Sequence, residues 1–353
     1  MLEKLFTAYQ EFFLGAKTHR KLLNLFFLLT NSLALIKVRM CLLFPLYAHI
    51  LFNTEAQRET YAAHLRFLIE CSGMQSENAE SVIAQAAHSI NFICEREHLA
   101  NIIKPFMADI VRGLTTVVLT SKAEKIFDVL YSIVTLFQIQ LLEAPEVLLG
   151  LVAELVKRSQ FEYEIIKKDP SKAKKIILNK SWNVIRAIGE EPQYVMNLHM
   201  DLEKILEPMF DYLEKDEKID FDEDILNYIS STTKILKQVT PAVWRALKSF
   251  PKVFRLYEEM LANLFPALNY IIIYGWNMIN EDPSIINVLI NMGTHALDPS
   301  NEIADEANHC EGALLLQLVI QYLSPITPEN YVDIFQACHV CFGNAKRGFL
   351  KAK

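Results

Sequence analysis

Apolar residues recur at three- and four-residue steps along most of the chain, which is the pattern of an amphipathic helix. One clear run consists of Val82, Ile83, Ala86, Ala87, Ile90, Ile93 and Cys94. A second run consists of Ile303, Ala307, Cys310, Leu314 and Leu318. The two-residue alternation of a half-buried strand fits neither run better. The pattern therefore predicts an all-α protein.

Several helix starts are explicit in the sequence. Thr240-Pro241, Asp282-Pro283 and Thr327-Pro328 each place a capping side chain before a proline at the first helical position, where the missing N–H costs no helical hydrogen bond. The segments 54–57 and 121–124 match the capping box, in which Ser or Thr is followed three residues later by Glu or Gln. With the apolar periodicity, these signals predict roughly fifteen helices of ordinary length.

Many of the predicted helices are apolar on more than one stripe, as in Leu141–Val156. Such a helix packs against neighbours on two sides, as helices do in stacked pairs. The spacing of the strong helix starts is loosely compatible with units of about 40 residues, the length of a two-helix HEAT repeat. Since composition has no internal break, we expect residues 1–353 to form one continuous α-solenoid of HEAT-like helix pairs, an armadillo-like superhelix.

Composition and charge narrow the class of protein. Only 10 of 353 residues are glycine, too few for a protein built on glycine-rich phosphate loops or tight β-turns. The net charge of −7 argues against direct nucleic-acid binding, which needs a positive surface. The six cysteines are dispersed, which indicates reduced thiols in an intracellular compartment rather than a disulfide framework.

Three uncharged runs make a helical membrane protein an alternative. Leu22–Ile36 and Met40–Thr54 each have 15 residues, fewer than the roughly 20 that a spanning helix needs. Met260–Asn280 is long enough, but it contains four asparagines, Pro266 and Gly275, and amides are expensive in lipid. We therefore expect this run to be a buried, interrupted helix and predict no membrane insertion.

Two short motifs are similar to known functional sites but lack some of the residues that those sites require. Cys338–Cys341 is a CxxC, and His309-Cys310 lies upstream, but a zinc site needs four convergent ligands, so we expect small buried thiols. Gly343–Gly348 has P-loop glycine spacing but is followed by Phe-Leu instead of Lys-Ser/Thr. We predict no catalytic residue, metal or cofactor and no enzymatic activity, with a helical enzyme as a lower-ranked alternative.

Charge is concentrated in two stretches. Lys167–Arg186 carries a net charge of +6, which suits the solvated face of a helix better than a phosphate site. Asp201–Asp224 contains eleven acids and three lysines. From its most polar part we select five candidate contacts for a basic protein: Asp216, Glu217, Asp222, Glu223 and Asp224. The alternative is a solvated loop that only keeps the protein soluble.

The segment Gln238–Leu247, with the sequence QVTPAVWRAL, is the most specific in the chain. It resembles a helix start in the carboxy-terminal half of importin-beta (karyopherin) family receptors, in the branch of importins seven and eight. In this resemblance Thr240 caps the helix, Pro241 begins it and Trp244 packs against neighbouring repeats as a structural anchor. The resemblance extends over residues 38–343, where the rest of the sequence has only the general character of HEAT repeats. Residues 1–37 match nothing in the family.

The resemblance implies a non-catalytic function in nuclear transport. The chain would be the part of a receptor that holds basic protein cargo and contacts nucleoporins, located in the nucleus, the cytoplasm and the nuclear envelope. The family binds the small GTPase Ran, as RanGTP, through amino-terminal repeats that have no counterpart in this sequence. A HEAT-repeat scaffold outside nuclear transport is the main alternative.

Overall fold

The computed structural model describes residues 34–51, 65–74, 79–169, 175–215, 221–257, 261–298 and 306–351. Within these ranges the regular elements are helices, and no strand is present. The prediction of an all-α fold is confirmed. The chain forms two compact units, which divide between Val184 and Ile185, and each unit is described by itself.

The described helices of the first unit are α1 (Ala34–Leu51), α2 (Glu80–Cys94), α3 (Glu97–Ile103), α4 (Met107–Val118), α5 (Lys125–Leu136), α6 (Gln138–Leu142), α7 (Pro145–Lys168) and α8 (Lys175–Glu190). A 3₁₀ turn, Lys104–Phe106, lies between α3 and α4. Residues 65–72 are also helical. Residues of α8 up to Val184 belong to this unit.

The helices of the first unit pack as two layers. Along one layer α1 packs on α2 and α2 packs on α5, while α4 packs on α7 in the other layer and on α5 across the layers. The α4 helix also meets the segment 65–72, where a side chain at Gly113 would lie 3.2 Å from the Ile69 side chain. Each helix therefore contacts its partner and the next repeat, which explains why apolar residues occupy more than one stripe.

The second unit also has two layers of helices. The described helices are α9 (Pro192–Phe210), α10 (Asp222–Leu236), α11 (Pro241–Leu247), α12 (Phe250–Leu256), α13 (Phe265–Asn280), α14 (Pro283–Ala296), α15 (Glu306–Tyr322) and α16 (Pro328–Lys351). The first layer contains α9, α11, α12, α14 and α16, and the second layer contains α10, α13 and α15. A 3₁₀ turn, Asp211–Glu214, follows α9.

Hydrogen bonds between neighbouring repeats indicate the repeat length. Among the described residues they join positions from 34 residues apart, between Arg112 and Glu146, to 52 apart, between Lys180 and Asp128. The Thr240 and Glu203 side chains, 37 residues apart, are bonded within this range. Because equivalent positions of stacked repeats lie side by side, these separations bracket the predicted unit of about 40 residues. The fold is therefore a helical repeat of the α-solenoid class.

The predicted caps form at most of the helix starts. The Asp282 carboxylate accepts from the Ser284 N–H at 3.2 Å, and the Thr327 hydroxyl accepts from the Asn330 N–H at 3.2 Å. Ser121 behaves differently, because its hydroxyl donates to the Glu80 carboxylate at 2.9 Å and accepts from the Ala123 N–H at 3.0 Å. The capping box predicted there is wrong, and α5 begins at Lys125. The box at 54–57 lies outside the described residues.

The first unit also buries an ion pair that the sequence did not indicate. Arg158 and Glu162 are almost inaccessible to solvent, and their side chains pair at 2.7 Å. The Arg158 guanidinium also donates to the carbonyls of Val118 and Leu119 at the end of α4. The last carbonyls of a helix have no partner within the helix, and here the Arg158 guanidinium of α7 binds those of α4. The Arg158–Glu162 pair therefore links two successive repeats.

Most of the long uncharged run Met260–Asn280 forms α13, which begins at Phe265 and packs against α10, α14 and α15. The prediction of a helix packed within the protein is confirmed. The predicted interruption is wrong, because Pro266 lies in the first turn of the helix and Gly275 is accommodated within it. In the part of the chain that the structure describes, no helix combines the length and the apolar character that crossing a membrane requires. The run Leu22–Ile36 falls almost entirely outside that part.

Candidate protein-binding site

Of the five acidic residues selected from the sequence, the structure describes three, in the first turn of α10. Asp222 is only 6% exposed, and its carboxylate accepts from the Glu223 N–H at 2.9 Å. Burial, followed by a hydrogen bond with Asp222, raises the pKa of the Tyr257 hydroxyl. The selection of Asp222 as a candidate contact for a basic partner is therefore wrong, because this side chain is buried. Asp216 and Glu217 lie outside the described residues.

Asp224 and Glu223 have different surroundings. The Glu223 side chain is exposed. The Asp224 side chain is 21% exposed and lies 3.9 Å from the Arg186 guanidinium. Burial raises the pKa of Asp224 to about 6, although Arg186 acts in the opposite direction. Asp224 is therefore an acid that titrates in mildly acidic solution, and Glu223 is the one of the three that is open to a partner.

Two further acids, Asp211 and Glu214, are exposed near the start of α10. They lie on the 3₁₀ turn after α9, and the rings of Tyr212 and Phe221 pack edge to face at 5.2 Å, which brings this turn to the start of α10. We call Asp211, Glu214 and Glu223 the acidic end. The sequence window Asp201–Asp224 included all three, but the choice of the most polar segment omitted Asp211 and Glu214.

The segment Gln238–Leu247 follows the other end of α10. It leads into α11 and includes it, and α11 packs against α9. The Thr240 hydroxyl accepts from the Val243 N–H at 3.3 Å, and Pro241 occupies the first turn of α11. The predicted cap and helix start are confirmed. The same hydroxyl donates to the Glu203 carboxylate at 2.7 Å, and Arg245 pairs with Glu207. Two side-chain contacts thus join α11 to the preceding repeat.

Trp244 is partly exposed, so most of its side chain is buried, as the sequence predicted. The fully buried stripe of α11 consists of Ala242, Val243, Ala246 and Leu247. Trp244 lies beside this stripe, because consecutive helical residues point about 100° apart. Trp182, on α8, is buried more completely, at 1% exposure. The role of Trp244 as an anchor between repeats stays a prediction.

A cleft of about 370 Å³ opens between α9 and α11. Glu203 lies on its wall and is only 8% exposed, and burial raises the pKa of this carboxyl group. The Nδ1 atom of His199, one helical turn before Glu203, is buried and has no hydrogen-bond partner among the described residues. We call this the Glu203 cleft. Its other lining residues are Met200, Lys204, Glu207, Gln238, Val239, Thr240, Pro241, Ala242 and Arg245.

A second cleft, of about 310 Å³, lies between the α11–α12 segment and α14. Its apolar lining includes Phe250, Ile285 and Val288, and its polar lining includes Lys248 and Asp282. The partial exposure of Ile285 and Val288 leaves apolar surface open between two neighbouring helices of the first layer. This apolar cleft can receive a large apolar side chain from a partner.

The cysteine motif lies on α16, where Cys338 and Cys341 are free and partly exposed, and Cys310 on α15 is exposed. The expectation of buried thiols is therefore wrong for Cys338 and Cys341. Cys41, Cys71 and Cys94 are buried. Within the described ranges no group of three or more His, Cys, Asp or Glu side chains is arranged to hold a metal ion. Gly343–Gly348 is helical and forms no loop.

This chain has only limited similarity to known proteins. No protein-family model matches the sequence. The chain is similar to nonsense-mediated mRNA decay protein 5 of Saccharomyces cerevisiae, with 22% identity over 134 residues, which are 37% of this chain and 12% of the yeast protein. The matched segment therefore spans about one eighth of that protein. An engineered protein of known structure has a TM-score of 0.44 and 13% identity, covering 72% of this chain and 97% of its own.

Proposed function

We propose that this chain is the cargo-holding part of a nuclear transport receptor of the importin-beta type, acting by binding and not by catalysis. The observation that carries the proposal is the Gln238–Leu247 segment, in which Thr240 caps α11 and bonds to Glu203 of the preceding repeat. The importin-like segment thus lies at a junction between stacked helical repeats. A helical repeat presents a long series of side chains, which suits the binding of a protein partner.

Basic protein cargo is the partner proposed for the acidic end. Asp211, Glu214 and Glu223 are exposed on adjacent elements, and the surrounding sequence Asp201–Asp224 is strongly acidic. Clustered carboxylates accelerate encounters with a positively charged partner, and salt weakens this effect. The proposed contact set is therefore shifted from the buried Asp222 towards the two residues of the 3₁₀ turn.

Nucleoporins are the proposed second class of partner, and the apolar cleft between α12 and α14 is the proposed contact. The Ile285 and Val288 side chains line it beside Phe250. An interface depends most on large apolar or aromatic groups that enter such clefts. Transport through the pore also implies a location in both the nucleus and the cytoplasm.

The experiment measures binding of the full chain to purified nucleoporins on a sensor surface and its passage into nuclei of permeabilised cells. We expect saturable nucleoporin binding that Ile285→Ser weakens. Ile139→Ser is the matched control, because Ile139 is 61% exposed on α6 in the other unit. Absence of binding to any nucleoporin, together with exclusion from nuclei, would contradict the transport function.

The same measurements separate transport from its main alternative. A HEAT-repeat scaffold outside transport would bind basic proteins at the acidic end without binding nucleoporins or entering nuclei. That outcome would support a protein-binding role of the helical repeat and would contradict the importin-like function.

A further inference from the structure

Two dipeptides in which a hydroxyl side chain precedes proline, Ser324-Pro325 and Thr327-Pro328, lie where α15 is followed by α16. They occupy the connection 323–327, which is neither helix nor strand, and the first residue of α16. Of the 13 prolines in the chain, three follow Ser or Thr, and the third of these is Pro241. Two of the three dipeptides are therefore concentrated in one short segment.

The hydroxyl groups of this segment are open to solvent. Ser324 and Thr327 are exposed, and so are the two prolines that follow them. The segment 324–333, which extends into the first turns of α16, includes no buried side chain. A segment with few buried contacts opens locally at a low free-energy cost. It can therefore adopt the extended form in which an enzyme binds a peptide substrate.

The two hydroxyl groups are held differently. The Thr327 hydroxyl accepts from the Asn330 N–H at 3.2 Å and caps α16. The Ser324 backbone N–H donates to the Asn280 Oδ1 at 2.9 Å, whereas its side chain forms no hydrogen bond with another described residue. Both hydroxyl oxygens are therefore accessible, and the backbone at Ser324 is attached to the end of α13.

The dipeptide Thr240-Pro241 provides a contrast within the same chain. Thr240 is 6% exposed, and its hydroxyl donates to Glu203 and accepts from the Val243 N–H. An enzyme that modifies a folded protein cannot reach this oxygen. The sequence presents three similar dipeptides, and the fold leaves two of them available.

We propose that Ser324 and Thr327 are phosphorylation sites for a proline-directed serine/threonine protein kinase. Such an enzyme recognises a hydroxyl residue directly before proline, and proline also favours an extended backbone at the residue before it. In the reaction the hydroxyl oxygen bonds to the γ-phosphorus of ATP, and the bond from that phosphorus to the bridging oxygen of ADP breaks. ADP leaves, and the hydroxyl proton passes to a base of the kinase. The modification is independent of the proposed function.

A phosphate on Ser324 would lie beside the end of α13. Asn280 is the last residue of that helix, and the exposed Glu281 follows it. A helix carries partial negative charge at this end, and a phosphate adds a charge of about −1.5 to −2 at pH 7. Repulsion should therefore weaken the bond between Ser324 and Asn280 and loosen the connection from α13.

A phosphate on Thr327 has different surroundings. It would lie at the beginning of α16, where N–H groups without helical partners favour negative charge. The exposed Glu329 in the first turn partly opposes this effect. Loosening of the connection is therefore expected from modification of Ser324 and not from modification of Thr327.

The test incubates the folded full chain with ATP, Mg²⁺ and a purified mitogen-activated protein kinase, and locates phosphate by tandem mass spectrometry. We expect phosphate on Ser324 and Thr327 and none on Thr240. The double variant Ser324→Ala, Thr327→Ala should lose the incorporated phosphate. Absence of phosphate from both sites, or more phosphate on Thr240 than on either, would overturn the proposal.

Proline substitutions test whether the enzyme reads the dipeptides. Pro325→Ala with Pro328→Ala keeps both hydroxyl groups and should abolish their phosphorylation. Pro283→Ala is the matched control, because Pro283 is also exposed at the start of a helix but follows Asp282; it should leave phosphorylation unchanged. Circular dichroism checks that each variant is folded. Undiminished phosphorylation in the double proline variant would also overturn the proposal.

Hydrogen exchange measures the effect on the connection. In the Thr327→Ala variant only Ser324 is left to be modified, and the comparison is between its modified and unmodified forms. The Ser324 amide should exchange faster after modification, because its bond to Asn280 is weakened. Unchanged or slower exchange of this amide would contradict the loosening of the connection.

Discussion

The hydroxyl group of Thr240 makes two hydrogen bonds, one within its own helix and one to the preceding repeat. It accepts from the Val243 N–H at 3.3 Å and so caps α11, and it donates to the Glu203 carboxylate at 2.7 Å and so joins two successive repeats. Both groups are almost completely buried. A single side chain therefore couples the start of a helix to the stacking of its neighbour.

Thr240→Ala should destabilise the protein more than an ordinary cap substitution. Loss of the cap costs about 1 kcal/mol, and the Glu203 carboxyl also loses its partner in a buried position, which costs about 1–3 kcal/mol more. Thr327→Ala is the matched control, because Thr327 also precedes a proline and caps through its hydroxyl, but is exposed. Urea unfolding measures both. Equal losses of stability in the two variants would show that the bond to Glu203 contributes nothing.

Trp182→Ala should reduce stability more than Trp244→Ala. Trp182 is 1% exposed, and truncation of a buried aromatic side chain costs about 3–5 kcal/mol. Trp244 is partly exposed, so its truncation removes less buried apolar surface. Urea unfolding, with hydrogen exchange to locate the loss, tests the order. A larger effect at Trp244 would contradict this order and would support the anchoring role that the sequence predicted for Trp244.

Two glycine-to-alanine substitutions should change stability in opposite directions. A Cβ atom at Gly189 would lie 2.4 Å from the ring of Tyr228, which is fully buried, so Gly189→Ala should cost about 1–3 kcal/mol through overpacking. At Gly150, in the second turn of α7, no atom outside the surrounding backbone of the helix lies within 4 Å of that position. Gly150→Ala should therefore add about 0.5–1 kcal/mol through helix propensity. Thermal unfolding measures the difference, and the same sign for both substitutions would contradict the close contact at Gly189.

Asp224 should make stability depend on pH in the mildly acidic range. Its pKa in the folded protein, about 6, is higher than the ordinary value of 3.8, so the folded state binds the proton more tightly than the unfolded state. The contribution of Asp224 therefore becomes less favourable as the pH rises from about 4 to about 6, and it is constant above that range. Urea unfolding across this range should show that Asp224→Asn removes this trend.

Asp109→Asn is the control for this pH dependence. Asp109 is exposed and forms an ion pair with Arg112 within one helix. Its substitution should leave the trend between pH 4 and pH 6 in place. A wild-type profile for the Asp224→Asn variant would place the pH dependence in other groups.

Neutralisation of the acidic end should slow association with a basic partner. In the triple variant Asp211→Asn, Glu214→Gln, Glu223→Gln, we expect a lower association rate with a histone-tail peptide and a weaker dependence of that rate on salt. Stopped-flow fluorescence at several salt concentrations measures both. Helical content should not change, because the three side chains are exposed.

The matched control for the acidic end changes the net charge equally in the other unit. Asp109, Glu143 and Glu146 are exposed there, and their neutralisation should have a smaller effect on the rate. Equal effects of the two triple variants would mean that only net charge matters, and that the acidic end is a solvated surface without a specific role.

Local features of this protein followed from its sequence. The periodicity of apolar residues predicts the helices, and a Thr or Asp before proline predicts the caps at Thr240, Asp282 and Thr327, because a cap involves atoms only a few residues apart. The spacing of helix starts likewise predicts a repeat near 40 residues, since each unit is a helix pair of ordinary length.

Tertiary structure alone decided which of the candidate residues are available to a partner. Asp222 and Glu223 are adjacent acids, yet packing against Tyr257 buries the first and leaves the second in solvent. Trp244 was selected from the resemblance, and the rotation of α11 places it beside the fully buried stripe and not within it. Glu203 gave no signal in the sequence, because its burial depends on Thr240, 37 residues away in the next repeat. Sequence periodicity determines which residues form a helix, whereas burial and pairing depend on the neighbour against which that helix packs.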